Sequence, residues 1–253
     1  MKYLNQITAL TYYNMRSRYR KTLAGLIWVI ASPIITFIVQ AVVFKYILKM
    51  DIHNYPTFLL VGLLPWFFIS QTVTTLANSI VSMRELFLGV KVNPLIFISS
   101  QVLDNFINYM IATIVLIFSL LMMNLMTLTF FQVVLFFINS LVLFIFVLSL
   151  TSLISFLHVF YRDVQYIIGF VMNLAFYITP IFYQVSFVDP RYQWLVEINI
   201  FYPVISMFQN SIYILSFDMW MLQLAKTLGI TAVLVSCLVF ILKMKMKDFY
   251  INV

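Results

Sequence analysis

Few residues in this sequence could act chemically on a substrate, and their spacing excludes most of what they could do. There are two histidines, His53 and His158, far apart in the chain. The single cysteine, Cys237, allows no internal disulfide and no C-x-x-C pair for a metal or a redox couple. No G-x-x-x-x-G-K-S/T loop is present to cradle phosphates, no G-x-G-x-x-G turn, and no H-E-x-x-H zinc pair. No catalytic residue, metal site or bound cofactor is therefore expected. The best-organised polar set is Gln101, Asp104, Asn105 and Asn108, whose i, i+3, i+4, i+7 spacing puts them on one helical face. That face reads either as the solvated start of a helix or as a hydrophilic way into the protein.

The elements that must position these residues are set by composition. Of 253 residues, 64% are hydrophobic and 9% charged, with mean hydropathy +1.04. An average soluble domain has roughly 45–50% and about 25%. No soluble fold hides that much apolar surface, whereas a bilayer core ~30 Å thick is matched by ~20 apolar residues in a helix. A single all-α integral membrane domain over 1–253 is expected. Six spans read as Leu23 to Leu48, Phe58 to Ala77, Phe106 to Met126, Phe131 to Leu157, Val164 to Tyr183 and Leu224 to Leu242. The first is much longer than a signal-peptide core of ~7–15 residues, so it stays in the mature protein. Before it, Leu4, Ile7, Thr8, Thr11, Met15 and Tyr19 recur at helical spacing, which predicts an amphipathic interface helix over 1–22; a frayed polar leader is the competing reading. Between the fifth and sixth spans, within 185–223, the apolar stretch Trp194 to Phe217 is interrupted by Glu197, Asn199, Pro203, Gln209 and Asn210. Re-entrant helices buried against protein suit it better than a lipid-facing span.

The net charge of +7 would suggest nucleic acid in a soluble protein; here it reports topology. With both termini inside, Lys2, Arg16, Arg18, Arg20, Lys21, Arg84, Lys91, Arg162, Lys243, Lys245 and Lys247 share one side. Lys45, Lys49, Arg191 and Lys226 remain on the other, so the positive-inside rule predicts cytoplasmic termini. His53 and His158 then fall on opposite faces and share neither a metal nor a proton relay. Pro33, Pro65 and Pro180 are each expected to bend a span, for a path or for packing alone. Ionisable groups inside the spans are nearly missing, which weakens any ion-coupled mechanism. Energy must then come from elsewhere.

Three stretches, in order, resemble the ABC-2 type permeases that export polysaccharides: the O-antigen, capsule and teichoic-acid group. The first is Arg18-Tyr19-Arg20 with Leu23, Gly25, Trp28 and Pro33; the second is Gly62-Leu63-Leu64-Pro65-Trp66-Phe67-Phe68. The third is Phe160-Tyr161-Arg162-Asp163-Val164, running on to Thr179-Pro180-Ile181-Phe182-Tyr183. Asn199, Tyr202 and Pro203, then Lys247-Asp248-Phe249, are also similar to family members. Ile200 departs from the family's usual proline, and Glu85 to Val90 is less basic than in many relatives.

The resemblance implies a homodimeric permease carrying two copies of a cytoplasmic ABC ATPase, which binds ATP and magnesium. The substrate it implies is a polyprenyl-linked glycan, the compartment the cytoplasmic (inner) membrane of a prokaryote. By the same analogy a cytoplasmic loop over 78–98 holds the coupling helix, within Ser82 to Pro94, with Arg84, Glu85 and Lys91 as ATPase contacts; plain solvation of that turn is the alternative. In the family the translocation path runs between protomers beside the first and fifth spans, so the resemblance makes Trp28, Phe37, Tyr166, Phe170, Tyr177 and Tyr183 the candidates to line it; aromatic faces stack on sugar rings while letting a polymer slide. Trp194, Tyr202, Pro203 and Phe208 are candidates for the extracytoplasmic gate. Rival readings are an ABC-2 exporter of a drug or another lipid, an intramembrane lipid-carrier transferase, and a subunit that only anchors the ATPase.

Overall fold

The computed structural model describes residues 2–19, 23–89 and 93–252, with side chains except at 2, 17–19, 23–30, 86, 88, 246–248 and 250–252. Lys91 lies outside the described residues, as do the side chains of Arg18, Tyr19, Trp28, Lys247 and Asp248. Among the described residues the fold is all helical. Helix α1 (Lys2–Tyr19) precedes α2 (Leu23–Ala41), which runs on into a π-helical turn, Val42–Ile47. Then come α3 (Tyr55–Leu76), the short α4 (Ser79–Ser82) and α5 (Arg84–Gly89), α6 (Pro94–Met122) and α7 (Phe130–Phe160). Helix α8 (Val164–Ile178) is followed by α9 (Gln193–Ile198), α10 (Tyr202–Gln209) with a π-helical turn, Asn210–Ile214, and α11 (Phe217–Asn252).

Four of these helices are long and apolar enough to cross a membrane, spanning Tyr55–Leu76, Pro94–Met122, Phe130–Phe160 and Phe217–Lys245, and two shorter apolar helices cover Ala31–Ile47 and Val164–Ile178. Helix α3 is the centre. From Phe58 to Trp66 it is apolar on every side and buried on every side, with Leu59 and Leu63 at zero exposure, while Gln71 and Thr75 toward its end are exposed. Helices α2, α6, α7, α8 and α10 pack around it.

The expected bounds of three spans are corrected. The third span begins at Pro94 rather than Phe106: the Asn93 side chain accepts from the Leu95 amide at 2.9 Å and Pro94 takes the first helical position, a strong start that hydropathy alone does not register. Gln101 to Asn108 are thus interior to a continuous helix, and Asp104 is fully buried there. The fifth helix stops at Ile178 instead of Tyr183. Thr179 precedes a proline, whose ring disfavours the α region for its neighbour, and sits at φ −75°, ψ 129°. Pro180 therefore ends its helix rather than bending it, whereas Pro33 and Pro65 are inside α2 and α3. The sixth helix extends past Leu224 and Leu242 to Phe217–Asn252, because no glycine or proline near either limit breaks it.

Helix α1 lies along α6, with the Thr11 hydroxyl donating to the Ser100 carbonyl at 3.2 Å; Thr11 is buried while Leu4 and Thr8 of the expected apolar face stay exposed. The connections sort to two ends. At one, α1, α4, α5, the start of α6 and the ends of α7 and α11 meet. His158 Nε2 is 3.1 Å from Asn78 Oδ1, and the Ser155 hydroxyl donates to the Leu76 carbonyl at 2.7 Å. At the other end, Asn54 and Thr57 both donate to the Leu125 carbonyl, and the Tyr213 hydroxyl donates to the His53 carbonyl. His53 and His158 belong to opposite ends.

Candidate translocation and coupling sites

The segment after α8 abandons the helix yet remains inside the protein. Thr179 and Ile181 have zero exposure and Pro180 is buried. Irregular backbone at membrane depth needs partners from protein, because lipid offers none. Here the partners are explicit. The Pro180 carbonyl accepts from Gln209 Nε2 of α10 at 2.9 Å, and the Phe182 carbonyl accepts from the Tyr55 hydroxyl of α3 at 3.2 Å. The Thr179 hydroxyl accepts from Asn199 Nδ2 at 2.7 Å, while Asn199 Oδ1 receives the Phe201 amide at 2.9 Å. The Tyr183 hydroxyl turns back to donate to the Ile178 carbonyl at 2.8 Å, satisfying the end of α8. Gly62 of α3 makes room for all this: a Cβ there would stand 3.0 Å from the Ile181 carbonyl oxygen. The glycine of the Gly62 to Phe68 stretch and the Thr179 to Tyr183 stretch are thus two halves of one contact.

The path candidates divide. Tyr166, Phe170 and Tyr177, at spacings of four and seven, form one stripe along α8 and are 77%, 65% and 67% exposed. Tyr183 is half-buried against Phe182, whose ring stacks on Phe44 at 4.3 Å. Phe37 turns the other way, into the core. The gate candidates divide too: Trp194 on α9 is exposed, Tyr202 is partly buried, and Pro203 and Phe208 are buried in α10. Trp66 and Phe201 meet edge to face at 5.4 Å, linking α3 to the start of α10.

What holds the α10 turn in place is a set the sequence reading did not single out. Asn139, fully buried on α7, donates to the Ser211 hydroxyl at 2.8 Å and accepts from Trp220 Nε1 of α11 at 2.8 Å. Gln132 Nε2 donates to the Ile212 carbonyl at 3.1 Å. The signal was there: an amide in the interior of an otherwise apolar 31-residue helix is costly unless partnered.

At the opposite end, α5 presents Arg84 and Glu85 to the exterior. Its other face is fixed by Phe87, 1% exposed, which meets Phe97 of α6 at 5.4 Å and Phe249 of α11 at 6.0 Å; Phe249 in turn packs on Phe156 of α7 at 5.1 Å. Among the described residues no group of three or more His, Cys, Asp and Glu side chains is placed to hold a metal ion.

The chain is similar to named proteins over most of its length. It is 29% identical over 190 residues to the O-antigen export system permease protein RfbA of Myxococcus xanthus, covering 73% of this chain and 70% of that one. An O-antigen export system permease protein RfbA of Klebsiella pneumoniae is 25% identical over 194 residues, covering 76% and 74%. The family described as ABC-2 type transporter matches residues 5–213. A bundle of apolar helices long enough to cross a membrane, matched to that family over most of its length, is a multi-pass membrane protein, and the chain belongs to the ABC-2 type transporter family.

Proposed function

We propose that this chain is the transmembrane permease of an ATP-driven exporter that moves a lipid-linked polysaccharide across the cytoplasmic membrane of a prokaryote. It works as a homodimer with two copies of a cytoplasmic ABC ATPase, which carry the ATP and magnesium. The observation that carries this reading is the similarity to O-antigen export permeases over about three quarters of the chain. The stripe of Tyr166, Phe170 and Tyr177 supports it, being an exposed aromatic rail of the kind on which sugar rings stack and slide.

In this proposal the chain crosses six times. Helices α2, α3, α6, α7, α8 and α11 are the crossings, α9 and α10 are re-entrant at the outer face, and both termini are cytoplasmic. Helix α8, at about 22 Å, is short of a ~30 Å core; the buried Thr179 to Tyr183 segment completes its passage. The segment between α3 and α6, shorter than the expected 78–98 because α6 already begins at Pro94, couples to the ATPase through Arg84, Glu85 and Lys91. Trp28, Tyr166, Phe170, Tyr177 and Tyr183 border the path, with Phe37 backing it from the core. Trp194 and Tyr202 meet the glycan at the outer exit, and Pro203 and Phe208 wedge that gate from within.

Reconstitution of the chain with its ATPase in vesicles tests the proposal. ATP-dependent movement of a lipid-linked glycan is the expected result. ATP hydrolysis without movement favours a mere anchor, movement only of drugs favours the other exporter class, and chemical change of the glycan without the ATPase favours a transferase.

A further inference from the structure

Helices α2, α3 and α6 line an open cavity of about 240 Å³ that is separate from the aromatic stripe of α8. Each helix lends it polar side chains: Ser32 and Thr36 from α2, Ser70 and Gln71 from α3, Asn105 and Asn108 from α6. The Asn105 amide donates to the Thr72 hydroxyl at 3.4 Å, which ties two of the walls together. Gln71 is only five residues from the Leu76 end of α3, roughly 7–8 Å along the axis, and Leu64 on the far rim is near its middle. The cavity thus occupies the half of the span nearer α4 and α5, within the apolar thickness.

Polar groups at that depth are costly without partners. Ser32 and Gln71 are exposed at the mouth of the cleft and Ser70 is partly buried beside them, so their hydroxyls and carboxamide face whatever enters. Among the described residues the lining carries hydroxyls and amides and no Lys, Arg, Asp or Glu. That set suits a neutral hydroxylated group better than a phosphate, since an anion needs cations or a row of backbone amides. Beside these polar groups, Pro33, Leu64 and Phe67 give the cavity an apolar flank with an aromatic ring. Hydroxyls on the edge and C–H groups on the face are what a sugar ring presents.

We propose that this cavity is a docking subsite for one neutral sugar ring, taken from the lipid-linked glycan while its anchor is still in the inner leaflet. The inference rests on the polysaccharide-export reading and deepens it. Two sources offer the same chemistry: the glycan on its carrier, and the sugar headgroup of a bulk glycolipid.

Thiol protection tests the subsite. Gln71→Cys and, as a water-exposed control near the end of α11, Met244→Cys are each made with Cys237→Ser and reconstituted with the ATPase. A small polar alkylating reagent is applied with the sugar-free lipid carrier, with the lipid-linked glycan, or with a glycosyl diacylglycerol. The expected result is that the glycan slows alkylation at position 71 several-fold and leaves position 244 unchanged, whereas the other two lipids slow neither. Separately, Gln71→Leu raises the glycan concentration for half-maximal stimulation of ATP hydrolysis about fivefold, the equivalent of one hydrogen bond. Equal alkylation in all three vesicles, or equal protection by the glycosyl diacylglycerol, overturns the subsite. If the glycan is still pumped in those vesicles, the export reading stands without it; if nothing is pumped, the export reading falls and the subsite with it.

Discussion

Replacing Gly62 by alanine isolates the contact on which the irregular segment after α8 depends. The added Cβ would stand 3.0 Å from the Ile181 carbonyl oxygen, 3.3 Å from Gln209 Nε2 and 3.4 Å from Ile181 Cα. The nearest of these is backbone, so no rotamer change relieves it, and the segment must retreat by a few tenths of an ångström. Retreat strains the 2.9 Å bond from Gln209 to the Pro180 carbonyl and the 3.2 Å bond from Tyr55 to the Phe182 carbonyl, both made by buried groups. Overpacking of this kind costs about 1–3 kcal/mol. Against it stands the general gain of about 0.5–1 kcal/mol when glycine inside a helix becomes alanine. Gly229 of α11, with nothing within 4 Å of its would-be Cβ, receives that gain alone. Gly62→Ala is therefore expected to lower the thermal midpoint of the detergent-purified protein, and Gly229→Ala to leave it level or raise it. Midpoints followed by tryptophan fluorescence suffice, because Trp66 on α3 meets Phe201 and Phe176 close to the perturbed segment. If the two variants melted alike, the close approach of α3 and the Thr179 to Tyr183 segment would be refuted.

Other expectations follow from single residues. Asn139→Leu leaves the Trp220 indole N–H and the Ser211 hydroxyl without their partner, a loss of about 1–3 kcal/mol for a buried group, to be read as a lowered melting midpoint and a shifted Trp220 emission. Leu215 holds φ 61° and is 62% exposed; Leu215→Gly relieves about 1 kcal/mol of left-handed strain while giving up little packing, so the midpoint should rise or hold. Arg84→Ala with Glu85→Ala should insert in the membrane normally but weaken substrate-stimulated ATP hydrolysis; unchanged stimulation would remove both from the ATPase contact. Tyr166→Ala with Phe170→Ala should slow glycan export without changing the melting midpoint, since both side chains are exposed.

Hydropathy located the helices because lipid imposes one strong rule, a long apolar run for each crossing. It failed where the rule is silent. In α6 the polar residues Ser99 to Gln101 and Asp104-Asn105 interrupt the apolar run before Phe106, and the helix start depended on an asparagine cap followed by a proline. The end of α8 depended on Pro180 acting through the residue before it, in a run whose apolar character continues to Tyr183. Asn139 was missed because one amide hardly alters the average of 31 residues. Gly62 and the Thr179 to Tyr183 segment were both singled out by resemblance, yet their mutual contact bridges residues more than a hundred positions apart and has no local signature. The aromatics of α8 could be named from sequence. Which of them turn outward, and that Phe37 turns inward, is decided by how α2 and α8 sit against α3.

The aromatic chain under α5 bears on how a push could travel. A six-residue helix is too short to be stiff on its own, and a flexible mount would let it rock and dissipate whatever acts on Arg84 and Glu85. Phe87 removes that slack. Its ring meets α6 and α11 at once, and through Phe249 α7, so α5 is seated on three long helices rather than hung on one. Any displacement of α5 would therefore bear on all three.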